Sequence, residues 1–171
     1  PLKGLISASN ETPPPNQGLE ALYDRFITRL TVYPLKNRNN FEKLLENTSL
    51  NPFVEIDEKL KITTEEWNKM SEEINKIKIS KIVLNIIHTI KLSIEKFNED
   101  NKDIPIYISD RRWQNISYLM KTAAYLNDKN EVDIYETLLL DNCLWSLEEH
   151  IEAVKKIVEN IIKMEKEGKT V

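Results

Sequence analysis

From residue 80 onward the apolar positions recur at helical spacing. Val83, Ile86, Ile87, Ile90, Ile94 and Phe97 form one stripe behind Ser80 and predict a core helix. A polar linker at 98–103 and the run Ile104-Pro105-Ile106-Tyr107-Ile108 follow, after which Ser109 or Asp110 can cap a helix. That helix carries Trp113, Ile116, Met120 and Ala123 or Ala124 and ends near Asn127. Residues 133–143 supply a third helix. Ser146 and Glu149 have capping-box spacing and open a fourth, whose stripe is Leu147, Ile151, Val154, Val158 and Ile161. Four such helices predict a bundle.

Upstream the pattern changes. Residues 2–9 read as a short buried strand ending at Asn10, before Thr12 and the prolines Pro13, Pro14 and Pro15. Gly18 closes that loop, 19–23 can form a brief helix, and 26–33 alternates at period two, predicting a second strand. Phe41, Leu44 and Leu45 predict a short helix over 37–46, capped by Asn37 or Asn39. Residues 52–62 read as a small hairpin or an irregular connector. Thr63 with Glu66 matches a capping box, opening a helix with Trp67, Met70 and Ile74 that runs to about Asn75.

Composition narrows the class. The 171 residues are 40% hydrophobic and 30% charged, a globular balance, and no apolar run approaches the ~20 residues of a membrane span. Cys143 is the single cysteine, so an intramolecular disulfide is impossible and a reducing cytoplasm fits best. A net charge of −4 without a segregated basic patch argues against nucleic acid as a partner. The start, PLKGLISASN, has neither an initiating methionine nor a basic run with an apolar segment, and upstream sequence is expected.

Most residue types that could carry chemistry have a plain reading. There are three glycines and no G-x-x-x-x-G-K-[ST], so no loop here can cradle a triphosphate. His88 and His150 have no Cys or His at ligand spacing, so no metal site is expected. Cys143, within LLLDNCLW, reads as a small buried hydrophobe. Carboxylate pairs among Asp24, Asp110, Glu148 and Glu149 are the chance result of 28 acidic residues. Three polar positions at segment boundaries stand out: Asn10 at a strand end, Arg25 between a helix and a strand, and Arg111-Arg112 at a helix start. A cation in a first helical turn is unfavourable unless an anion or acid meets it. Each also has a local reading: strand termination for Asn10, pairing of Arg25 with Asp24 or Glu20, and a surface salt bridge for Arg111 or Arg112.

Taken in order, the boundary residues form a pattern. ISASNETPPPNQGLEALYDRFITRLTVYP resembles the segment of MoxR-type AAA+ ATPases running from the fourth core strand through sensor 1 to the fifth strand. YISDRRWQNISYLMKTAAYLNDKNEVDIYETLLLDNCLW resembles the sensor 2 helix and following lid helices of the RavA branch. The resemblance covers roughly residues 5–162; the triple proline is longer than the family pattern.

The resemblance implies a mainly α protein: a helical lid bundle over 76–171, preceded over 1–75 by a short α/β remnant, one or two strands, of a P-loop core. It implies that Asn10 is sensor 1, contacting the attacking water or the γ-phosphate, and that Arg25 is an arginine finger reaching a neighbouring subunit's γ-phosphate. Arg111 is then sensor 2, with Arg112 as the runner-up and Arg29 as a second, weaker interface candidate. The implied parent is a chaperone-like ATPase using ATP and Mg²⁺, cytoplasmic, assembled as a homo-oligomeric ring, a hexamer, with a von Willebrand factor A-domain partner. This segment alone is expected to bind neither and to be inactive. The rival reading is a non-enzymatic helical interaction module whose arginines merely form salt bridges.

Overall fold

A computed structural model describes residues 4–12, 18–47 and 55–168. The described chain is mainly helical, with one two-stranded parallel sheet. In order, α1 is Glu20–Tyr23, α2 Arg38–Glu46, α3 Thr64–Lys76, β1 Lys78–Ile79, α4 Lys81–Asp100, α5 Asp110–Leu126, β2 Glu131–Val132 and α6 Glu148–Lys166. Short 3-10 segments occupy Glu58–Leu60 and Glu136–Asn142.

The local signals explain the main elements. Ser80 caps α4 by accepting the N–H of Val83 at 3.2 Å, and Val83, Ile86, Ile90 and Ile94 then fall on one buried face. That face packs against α6, which buries Val154, Val158, Ile161 and Ile162. Ile116, Met120 and Ala124 of α5 join the same core with Val132, Leu140, Cys143 and Leu144. Each fully buried aliphatic side chain of this kind contributes about 2 kcal/mol. The strands pair Lys78 with Glu131 and Ile79 with Val132.

α5 ends in a Schellman turn. The N–H of Lys129 reaches the carbonyl of Ala124 at 2.9 Å and that of Asp128 reaches Tyr125 at 3.0 Å, with Asp128 at φ 56.

By packing, the chain divides into two units. One comprises residues up to Arg29 together with Glu73 onward; the other is Leu30–Glu72. In the second unit Asn37 caps α2 by accepting from Asn40 at 3.1 Å. Thr63 and Glu66 form the reciprocal capping box, at 3.2 and 2.8 Å.

Four expectations are corrected. Neither 4–9 nor 26–33 is a strand, because a strand needs a neighbour for its N–H and C=O groups and none pairs with them among the described residues. The N–H of Arg29 goes to the carbonyl of Asn142 at 2.8 Å instead. Residues 2 and 3 of the first expected strand, the prolines at 13–15 and residues 52–54 lie outside the described residues; over 55–62 the connector holds one 3-10 turn. The expected helix over 133–143 is the 3-10 segment Glu136–Asn142. The Ser146–Glu149 capping box is not formed. The His150 ring occupies its place, Nδ1 accepting the N–H of Ser146 at 3.4 Å and of Leu147 at 3.3 Å.

Candidate nucleotide-sensing site

The start of α5 is built around one hydroxyl. Ser109 is the N-cap, its Oγ accepting the N–H of Arg112 at 3.1 Å and donating its own proton to a carboxylate oxygen of Asp24. Asp24 lies in the turn after α1, so the cap joins the chain near residue 24 to the bundle.

The two arginines of this turn have opposite fates. Arg111 is exposed and has neither a hydrogen bond nor an ion pair among the described residues. Arg112 is 0% exposed. Its Nη2 donates to the carbonyl of Trp145 at 2.8 Å and its Nη1 to Ser146 Oγ at 3.2 Å, with Asp24 Oδ1 at 3.9 Å. This difference follows from helix periodicity, since Arg112 stands one helical turn before Ile116 on the buried face of α5.

Arg29 completes the cluster. It is 5% exposed rather than placed at an outer interface, which corrects its reading as a second interface candidate. Its Nη1 donates to the same Trp145 carbonyl, its Nη2 donates to the carbonyl of Tyr23 at 2.8 Å, and its guanidinium lies 4.2 Å from the Tyr23 ring centroid. Burial lowers its pKa from the ordinary value; the fields of Tyr23 and Asp24 oppose this only partly. Nε of Arg29 and Nε of Arg112 are both buried without a hydrogen-bond partner.

Arg25 is exposed, and its Nη1 turns back to the carbonyl of Ala21 at 3.1 Å, without pairing to Asp24. Asn10 is exposed at a bend, where Ser9 Oγ bridges the carbonyl and N–H of Glu11 at 2.8 and 3.2 Å. No hydrogen bond or ion pair among the described residues joins Asn10 to Arg25, Arg111 or Arg112. The structure thus joins Asp24 and Arg112, the neighbours of Arg25 and Arg111, through Ser109. Sequence reasoning missed the Trp145 carbonyl, because a backbone acceptor carries no residue-type signal. It also missed the cap made by His150, whose Nε2 lies 3.1 Å from the carbonyl of Ile104.

Among the described residues no group of His, Cys, Asp and Glu could hold a metal ion, and no helix is long and apolar enough to cross a membrane. Cys143 is buried, and desolvation pushes its thiol up to about 11.

Residues 82–158 match the AAA lid domain. The helical bundle is therefore read as an AAA+ ATPase lid, and α5 with its Ser109 cap lies inside the matched segment. Over 161 residues, 94% of its length, the chain is 33% identical to the uncharacterized protein MJ0079 of Methanocaldococcus jannaschii. Over 146 residues, 85% of its length, it is 36% identical to the uncharacterized protein MJ0812 of the same organism. It spans 39% and 35% of those two relatives. Similarity thus extends beyond the lid in both directions.

Proposed function

We propose that this chain is the lid-bearing part of a MoxR-type AAA+ ATPase of the RavA branch, a ring-forming, ATP-driven remodeller of partner proteins. The observation that carries the reading is Arg111. It lies inside the lid match, in the first turn of α5, exposed and without a partner among the described residues. A cation there opposes the helix dipole and is stabilised by an anion such as phosphate. Arg112 fits that role poorly, since its guanidinium is buried and its Nη groups are already engaged.

ATP with Mg²⁺ would supply the transferable phosphoryl group. In this reading Arg111 holds phosphate from the lid side, and Arg25 offsets charge developing on a neighbouring subunit's phosphate. Asn10 orients water or phosphate at the end of its core segment. A hexameric ring, a von Willebrand factor A-domain partner and a cytoplasmic setting belong to the same proposal and rest on the resemblance of the SASNE, DRF and SDRRW segments.

The test is ATP turnover by the full-length parent carrying Arg25→Ala or Arg111→Ala, each alone and each mixed with subunits unable to bind nucleotide. Loss of turnover in Arg25→Ala with recovery in the mixture is expected, because the finger acts on its neighbour. Wild-type turnover in both variants would leave the interaction-module reading ahead.

A further inference from the structure

We propose that Asp24 is a positioning residue: through Ser109 and Arg112 it holds Arg25 and Arg111 on one rigid body, so that phosphate contact at Arg111 governs the placement of Arg25. The proposal rests on the ATPase reading above and concerns how that site is regulated.

The geometry forms a closed circuit. Ser109 donates to one oxygen of Asp24, and Arg112 Nη1 stands 3.9 Å from the other. The same Ser109 oxygen accepts the N–H of Arg112, so one hydroxyl fixes both the helix start and the carboxylate. Arg112 continues to the Trp145 carbonyl, where Arg29 also donates, and Arg29 returns to the carbonyl of Tyr23, one residue before Asp24. Both guanidiniums are removed from water, so these hydrogen bonds are electrostatically strengthened and disturbing one strains the others.

The two arginines that could touch phosphate are each one position from this circuit. Arg25 follows Asp24, and Arg111 precedes Arg112. Arg25 has little else to set its position. α1 is four residues long, too short to hold itself in place, and among the described residues the one hydrogen bond of the Arg25 side chain is to the carbonyl of Ala21 in that same turn. The anchors at Asp24 and Arg29 therefore determine where Arg25 sits. A shift of the α5 N-terminus on phosphate contact is carried to Asp24 by a hydrogen bond that crosses 85 residues of sequence.

A purely structural carboxylate would lower stability and leave turnover per folded ring unchanged. A positioning carboxylate lowers kcat with KM nearly fixed, and its effect merges with that of its partner. The experiment is steady-state ATP turnover by the full-length parent bearing Asp24→Ala, Asp24→Asn, Ser109→Ala and the Asp24→Ala/Ser109→Ala pair. Arg25→Ala, Arg111→Ala and the unrelated cap variant Ser80→Ala run alongside, and thermal unfolding gives the folded fraction.

Asp24→Ala is expected to lower kcat by about ten- to a hundredfold with KM within about twofold, since a misplacement of about 1 Å can cost about a hundredfold. Ser109→Ala is expected to act in the same direction, and the double variant to be no worse than Asp24→Ala alone. Asp24→Asn keeps an acceptor for the Ser109 hydroxyl and recovers most of the rate. Ser80→Ala, which removes an equivalent cap outside the circuit, keeps wild-type kcat.

Wild-type kcat in Asp24→Ala beside an inactive Arg25→Ala overturns the positioning role while the ATPase reading stands. Multiplying effects in the double variant overturn it equally. If Asp24→Ala does not fold, wild-type kcat in Ser109→Ala is the overturning result. Wild-type turnover in both Arg25→Ala and Arg111→Ala removes the ATPase reading itself and the proposal with it.

Discussion

Arg29 and Arg112 donate to a single acceptor, the main-chain carbonyl of Trp145, and among the described residues neither reaches a carboxylate within hydrogen-bond distance. Two buried cations on one dipole repel each other, yet each ties a different part of the chain to the bundle. Arg112→Met, which keeps the aliphatic volume, is expected to lower unfolding free energy by about 2–3 kcal/mol through its lost charge-assisted hydrogen bonds. Arg29→Met acts in the same direction. Each single change relieves the repulsion, whereas the double relieves it only once and also leaves the Trp145 carbonyl unpaired. The double should therefore exceed the sum of the singles by about 1 kcal/mol, as read from urea unfolding of the four proteins. Simple additivity would show that the guanidiniums do not interact.

The His150 ring yields a pH dependence of defined sign. Burial lowers its pKa from 6.5, against the weaker opposing effects of its contact with Ile104 and the charge of Glu149. A ring whose Nδ1 accepts two backbone N–H groups must also stay neutral to do so. The unfolded chain thus binds the proton more tightly, so the stability His150 contributes is full above pH 6.5 and is lost as pH falls below it through the lowered pKa of the folded ring. Urea midpoints at pH 7.5 and 5.5 are expected to differ more for the wild type than for His150→Gln. Equal differences would contradict the neutral-ring cap.

Cys143 should be silent towards alkylation in the folded protein. Its thiol is pushed up to about 11 by burial, which outweighs the opposing contact with Thr28 Oγ1 at 4.0 Å. At pH 8 the labelling rate is expected to follow the population of open molecules, rising with urea in step with the loss of helical circular dichroism. Fast labelling without denaturant would place the thiol at the surface.

Asp128 occupies the left-handed position that closes α5, at φ 56. Glycine has no Cβ to strain there, so Asp128→Gly is expected to raise stability by about 0.5–1 kcal/mol, measured by thermal or urea unfolding. Asp128→Ala should lower it, because alanine gains neither freedom nor a local hydrogen bond. The two changes in the same direction would argue against a backbone cause.

The sequence by itself determined the helical lid. The stripe from Val83 to Phe97, the helix starts at Ser80 and at Ser109 or Asp110, and the stripe ending at Ile161 are patterns legible within a few turns of sequence, and they reappear as α4, α5 and α6. The boundary residues Asn10, Arg25, Arg111 and Arg112 were legible as polar outliers because residue type and position along an element are enough to mark them. Tertiary structure alone decided three matters. It turned the alternating residues 26–29 into an anchored coil, because strand periodicity without a pairing partner does not make a strand. It separated Arg111 from Arg112, exposing one and burying the other, which depends on which face of α5 meets the bundle. It also made the Trp145 carbonyl a shared acceptor and the His150 ring a helix cap. Those roles belong to backbone geometry and long-range packing, which leave no trace in the order of side-chain types.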